Sequence, residues 1–255
     1  MKKILSVITS VAVVVAIGAG NVAAQDGVVY VPVDIYGCKY NKGKGPADLD
    51  AVVDKWNAYM DKIGDDTYAA WTMTKHYAGP DQDFDVAWLG ANRSGTTMGE
   101  TADEWRASGA KISAQFNEVV NCAMSGNYAS RMFKAPPGGN VPKDGVIVFS
   151  SCTLKEGQSY DDVIAATAKW AKVLGDAGSQ AAMYHWYPIY GTGENDIDWK
   201  IISSYPNLTE LGKDYDRMGN GQLFIKRREL LGALQDCDVA RVYNAKLRRD
   251  AKIRD

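Results

Sequence analysis

The sequence predicts an α+β fold, two tandem β-α-β-β-α-β repeats folded onto one another as an intramolecular pseudo-dimer. Two observations carry this reading. One register of apolar and cysteine positions recurs along the chain, and strand-like and helix-like periodicities follow each other in the same order in both halves. Cys38 matches Cys152, and Leu49, Val52, Val53, Trp56 and Met60 match Val163, Ala166, Thr167, Trp170 and Leu174, all at an offset of 114. At an offset of 113, Trp71 matches Tyr184, Tyr77 matches Tyr190, Asp83-Phe84-Asp85 matches Asp196-Ile197-Asp198 and Gly99 matches Gly212. Cys122 and Cys237 match at 115.

The elements follow in chain order. Residues 1–24 read as a secretory signal peptide: Lys2-Lys3, an apolar run from Ile4 to about Ala19, and small residues before a cleavage site after Ala24. That run is short for a bilayer span. The first repeat, residues 25–134, opens with a β-branched and aromatic strand over Val28–Tyr36. A helix with apolar residues at i, i+3, i+4, i+7 and i+11 starts near Leu49, with Pro46 suited to its first turn. Strands over Tyr68–Tyr77 and Phe84–Gly90 flank a turn at Gly79-Pro80-Asp81-Gln82, a helix covers about Thr97–Val120, and a last strand starts near Cys122. Residues 135–144, with Pro136-Pro137-Gly138-Gly139, form the linker. The second repeat, residues 145–255, has strands at Val146–Ser151, Ala182–Tyr190 and Ile197–Ser203. Its first helix is capped by Ser159, and its second, Thr209–Leu234, is broken at Gly219-Asn220-Gly221. The charged run Lys246–Asp255 reads as a solvated or frayed end.

This element order is the ferredoxin-like split βαβ unit. A tandem pair of such units resembles the dimeric α+β barrel superfamily, which includes antibiotic-biosynthesis-type monooxygenases and haem-using chlorite-dismutase-like proteins. The resemblance covers nearly the whole mature chain and rests on element order and duplication, with no catalytic string to carry functional residues across.

Composition excludes several classes. With 46% hydrophobic and 24% charged residues the chain is an ordinary globular protein. A net charge of −2, or −4 once Lys2 and Lys3 are removed, supplies no basic field for nucleic acid. Cleavage of the signal leaves no membrane segment, and the expected location is the periplasm or outside the cell, where disulfides persist. In a ferredoxin-like unit the first and last strands lie side by side, so Cys38 pairs with Cys122 and Cys152 with Cys237. No Cys-x-x-Cys spacing marks a redox pair.

The candidate site comes from the hairpin. A four-residue loop at 79–82 sets Tyr77 against Phe84 and His76 against Asp85. Trp71, Met73 and Tyr77 then turn toward the helices with Phe84, Val86 and Trp88. The mixed face, with His76, Asp85, Ala87 and Leu89, turns toward a cleft between the repeats. His76 and Asp85 are the candidate catalytic dyad, the carboxylate orienting the imidazole for general-base work. The second copy sets His185, Tyr187, Asp198 and Lys200 on the corresponding face as candidate ligand-binding residues. Either histidine could ligate a haem iron, but no covalent haem-attachment signature exists, and neither a cofactor nor a metal site is expected. Asp83, Asp85, Asp196 and Asp198 lack a calcium loop. Pro136-Pro137-Gly138-Gly139 lacks the Lys-Ser/Thr of a phosphate cradle, and Lys226-Arg227-Arg228 reads as a wet helix face. The 7 Trp, 14 Tyr and 5 Phe suit a core or the lining of a cavity for a small apolar or aromatic molecule. The leading expectation is a periplasmic small-molecule-binding protein, monomeric or homodimeric. A cofactor-independent monooxygenase- or isomerase-like enzyme is the alternative, and a structural or interaction protein the third reading.

Overall fold

The computed structural model of the chain describes residues 28–139, 143–191 and 197–251. The expected signal peptide and the ends of the charged tail lie outside them. The first half contains β1 (Tyr30–Tyr40), α1 (Pro46–Ile63), β2 (Tyr68–Tyr77), β3 (Val86–Asn92), α2 (Gly95–Ser108), α3 (Ala110–Val119) and β4 (Val120–Lys134). The second contains β5 (Asp144–Leu154), α4 (Tyr160–Asp176), β6 (Ala182–Tyr190), β7 (Trp199–Tyr205), α5 (Leu208–Met218), α6 (Leu223–Leu231), β8 (Gln235–Cys237) and β9 (Arg241–Arg249).

All the strands belong to one antiparallel sheet ordered β7-β6-β4-β1-β3-β2-β9-β5-β8, and β5 pairs back onto β7. The result is a closed eight-stranded barrel, with β8 continuing the β5 edge beyond β9. Two seams join the halves, β4 with β6 and β2 with β9. The space expected as a cleft between facing sheets is thus the interior of one barrel. It is filled by alternating inward residues such as Val31, Val33, Trp71, Leu89, Trp186, Ile202 and Tyr243.

Helices cover the outside. On the first half, α1 and α3 bury Leu49, Val53, Trp56, Met60 and Val119 against Cys38, Ala70 and Val86. On the second, α4 and α6 bury Trp170, Leu174 and Leu231 against Met183. Pro46 does begin α1, and the Ser159 side chain caps α4 by accepting from the Asp162 N–H. The helix expected over Thr97–Val120 is two, broken at Gly109. A Cβ there would lie 2.5 Å from the Trp105 carbonyl oxygen, so the tight exit from α2 requires glycine.

The hairpin register differs from expectation by one residue, and the slip is the same in both halves. Trp71 pairs with Leu89 and Met73 with Ala87; Tyr184 pairs with Ile202 and Trp186 with Lys200. Val86 and Trp88 face the helices as expected, but Trp71 and Met73 point into the barrel, and His185 and Tyr187 face outward. Sliding one strand of a pair by one residue exchanges its faces. The native register turns Trp71, Tyr184 and Trp186 into the barrel interior, which Ala70 and Thr72, the neighbours of Trp71, could not fill.

Residues 246–249 are not a frayed end. They form the close of β9, and their cations bind the first half: Lys246 Nζ meets Asp50 at 3.1 Å and Arg249 Nη1 meets Asp61 at 2.8 Å. Arg248 pairs with Asp50 and donates from Nε to Thr72 at 2.7 Å.

Candidate functional site

Both expected disulfides are present, Cys38–Cys122 and Cys152–Cys237, each linking adjacent strands within one half. Next to each sits one of the recurrent aspartates. Asp85 accepts from the Tyr40 N–H at 2.9 Å while its own N–H donates to the Cys38 carbonyl. Asp198 accepts from the Leu154 N–H at 2.7 Å and from the Tyr160 hydroxyl at 3.0 Å, and its N–H donates to the Cys152 carbonyl. These carboxylates clamp the strand end beyond each disulfide.

The other expected site residues are dispersed. The β2–β3 ladder ends at Met73–Ala87, so no cross-strand pair brings His76 to Asp85. His76 is exposed, its ring against Tyr77, and no hydrogen bond joins it to Asp85. His185 is buried in the helix-facing layer between Phe133 and Trp199. Its Nε2 lies 3.4 Å from Thr167 Oγ1 and its Nδ1 3.4 Å from the Tyr187 hydroxyl. Desolvation, reinforced by Arg131, lowers its pKa to about 3, so the ring is neutral. Burial pushes the Tyr187 phenol up to about 12. Lys200 alone points into the barrel, where its Nζ donates to Ser151 Oγ at 3.0 Å.

A space with aromatic walls lies elsewhere, between the helices and the sheet of the first half. A cavity of about 370 Å³ is walled by Trp56, Trp88, Trp105, Phe116, Tyr36 and Tyr68. The aromatic walls hold one another edge-on: Trp88 meets Trp56 at 5.0 Å and Phe116 at 5.9 Å between ring centroids. Trp88 Nε1 donates to the Tyr68 hydroxyl at 2.9 Å. Glycine at position 90 makes room for that hydroxyl, since a Cβ there would lie 2.0 Å from it.

Into this cavity β1 presents Asp34. Its cross-strand partner is Asn127, whose Nδ2 donates to the carboxylate at 2.7 Å. No cation pairs with Asp34 among the described residues, and desolvation raises its pKa against the lowering effect of Asn127. Burial raises the Tyr36 phenol, with Asp34 adding to the effect, and raises Tyr68 strongly. The site therefore joins an unpaired carboxylate, neutral phenols and stacked indoles. The hairpin reading missed Asp34. Its signal was an acid inside the otherwise apolar strand Tyr30-Val31-Pro32-Val33-Asp34-Ile35-Tyr36.

The matching layer of the second half holds about 300 Å³ around Trp170, His185, Tyr205, Asp214 and Arg227. There the position 114 residues after Asp34 is Val148. Asp214 is closed by the Ser179 hydroxyl and by Arg217 at 2.6 Å.

Haem, which some members of the resembling superfamily carry, needs an axial ligand to iron. His76 lines none of these cavities, and both nitrogens of His185 are engaged. The cysteines are disulfide-bonded, and Tyr36 and Tyr68 are held as neutral phenols. These residues do not fit an axial role. Among the described residues no three His, Cys, Asp or Glu side chains group as metal ligands.

No family model and no curated protein matches the chain. Solved structures do. A protein from Fusobacterium nucleatum designated a monooxygenase aligns with a TM-score of 0.54 at 8% identity, over 86% of this chain and 93% of its own. A protein designated a chlorite dismutase aligns with a TM-score of 0.52 at 12% identity, over 88% and 97%. A mutant chlorite dismutase from Candidatus Nitrospira defluvii aligns with a TM-score of 0.51 at 8% identity, over 85% and 91%. At such identities the likeness is one of fold: this chain shares the α+β barrel architecture of monooxygenase-like and chlorite-dismutase-like proteins.

Proposed function

We propose that this chain is a periplasmic or secreted protein that binds a small aromatic molecule in the helix–sheet cavity of its first half, and that Asp34 takes a proton from it. The observation that carries this reading is a carboxylate without a cation, facing a cavity of about 370 Å³ walled by indole and phenol rings. Stacking on Trp56, Trp88 and Trp105 orients a planar ring, and the walls displace water from it. Desolvation makes Asp34 a stronger base than an exposed carboxylate. The proton of a phenol O–H or an acidic C–H moves to an Asp34 oxygen, and its electron pair stays on the substrate as a phenolate or carbanion. Such an anion either adds dioxygen at a carbon that still bears hydrogen, giving a peroxide whose O–O bond breaks with loss of water to leave a carbonyl, or is reprotonated at another atom. The fold neighbour designated a monooxygenase favours the first outcome.

Two further points belong to this reading. The strand order β2-β3-β1-β4 in the first half and β6-β7-β5-β8/β9 in the second supports a fusion of two ferredoxin-like units, residues 25–134 and 145–255. The two disulfides support an oxidising compartment.

2-Naphthol tests the proposal, because its neutral and ionised forms absorb differently. Bound 2-naphthol is expected to quench the cavity tryptophans and to ionise at a higher pH than in water, because the Asp34 carboxylate and the apolar walls both oppose a second negative charge, as they do for Tyr36. Asp34→Asn should keep the quenching and reduce the upward shift in ionisation, leaving only the part due to burial, whereas Trp56→Ala should lose the quenching. Absence of quenching in the native protein overturns binding. An upward shift undiminished in Asp34→Asn overturns the role of Asp34.

A further inference from the structure

A second site lies inside the barrel, on the opposite face of the sheet from Asp34. At the end of the barrel marked by Ile35, Met73 and Ala87, about 760 Å³ opens above an aromatic floor. Tyr243 stacks on Phe84 at 5.9 Å and meets Phe149 edge-on at 5.5 Å, and Trp186 beneath contacts both Phe149 and Tyr128. This floor separates the mouth from a smaller apolar void of about 90 Å³ toward the other end of the barrel, lined by Val31, Trp71 and Leu89.

Two cations converge at the mouth. Lys200 Nζ and Arg241 Nη2 both donate to Ser151 Oγ, at 3.0 and 3.2 Å. A hydroxyl oxygen is a weak acceptor for two cations, and the cations repel each other. Arg241 is paired with Asp238, whose other oxygen accepts from the Ser151 N–H at 2.7 Å. Asp81 also lines the mouth, but it is exposed to solvent and accepts from Gln82 Nε2. Lys200 has no carboxylate partner among the described residues, and its Nζ sits 6.0 Å from the centre of the Tyr128 ring. Burial and Arg241, opposed by Asp238 in the same mouth, hold its pKa below the usual lysine range, which an incoming anion would reverse.

We propose that this mouth binds a small aromatic carboxylate. Its carboxylate is received by Lys200, the free face of Arg241 and the Ser151 hydroxyl, and its ring lies against Tyr128 and Phe149. The ligand's charged group gives Lys200 a direct counter-charge through charge-assisted hydrogen bonds. The aromatic body replaces water over an apolar floor, and the strand framework holds the geometry in advance. The proposal uses no residue of the Asp34 cavity and stands independently of it.

Isothermal titration of the full mature protein with 2-naphthoate and with its neutral counterpart 2-naphthamide tests this. Naphthoate is expected to bind at least tenfold more tightly than naphthamide. Lys200→Met should weaken naphthoate binding tenfold or more and leave naphthamide unchanged, and Lys200→Arg should restore most of the affinity. Recovery with arginine shows that a loss in the methionine variant reflects charge and not misfolding. Equal binding of acid and amide, no binding of naphthoate at all, or undiminished naphthoate binding by Lys200→Met would each overturn the proposal.

Discussion

Asp34 and His185 show how burial sets the chemistry of single residues here. Both sit in helix-facing layers, and desolvation pushes each toward its neutral form, raising the carboxyl and lowering the imidazole. For His185 the consequence is a pH-dependent stability. Its folded pKa of about 3 lies below the unfolded value of 6.5, so the unfolded chain binds more protons between those limits. Stability should be flat above about pH 7 and fall as the pH drops through 6.5, by about 2 kcal/mol between pH 7.5 and pH 5. Urea midpoints at the two pH values measure this, and His185→Phe, which keeps an aromatic ring against Trp199, should flatten the slope. Asp50 and Asp65, whose pKa values are lowered, lose their contribution only below about pH 4, outside that window. Gly90 makes a separate point. Gly90→Ala should push the Tyr68 hydroxyl off Trp88 Nε1 and weaken 2-naphthol binding without opening the barrel, a loss visible by fluorescence titration.

At the scale of elements, the disulfides were legible because pairing follows topology. Once the first and last strands of a unit are neighbours, a cysteine near the end of one and near the start of the other must meet, and Cys38 does lie opposite Cys122 in the ladder. Cys38→Ala should expose one free thiol, at Cys122, found by alkylation and mass spectrometry. It should also cost about 4–5 kcal/mol on the loop-entropy model for a closed loop of this length. Labelling at Cys152 or Cys237 in that variant would contradict the pairing. The hairpin faces were not legible. Alternation along β2 shows which residues share a face but not which face is inward, and loop length settles that only if the turn residues all lie outside the ladder. Here the ladder stops at Met73–Ala87 and β2 continues against β9, pairing Lys75 with Tyr243. The candidate dyad depended on the hairpin closing tightly, but β3 parts from β2 beyond Met73–Ala87, while β9 from the other half holds the opposite edge of β2.

At the scale of the molecule, two seams hold the barrel closed, and no disulfide crosses them. The ladders are long, Asn127–Lys134 against β6 and Ala70–Tyr77 against β9. The ion pairs of Lys246, Arg248 and Arg249 with Asp50 and Asp61 reinforce one of them, and Asn57 Nδ2 donates to the Arg248 carbonyl at 2.8 Å. A chain cut once in the linker at residues 135–144 should therefore elute as one particle containing both fragments, and separate only under denaturant. Fragments that part in native buffer would show that the seams are weak. Raising salt should loosen the cut complex only slightly, because exposed ion pairs are weak beside two continuous ladders.

Local chemistry is written into the order of residues. Helix periods, the Pro46 and Ser159 starts, the position of each strand to within a few residues and the cysteine partners all follow from spacing and from the recurrence of one pattern, since each depends on neighbours near in sequence. Closure was decided only in three dimensions. Which edges join, which side of β2 and β6 turns inward, and that Asp34, Asn127 and three indoles share one cavity depend on contacts between residues far apart in the chain. There the choice between registers rests on how much bulk a curved sheet can enclose, a quantity that no single segment carries.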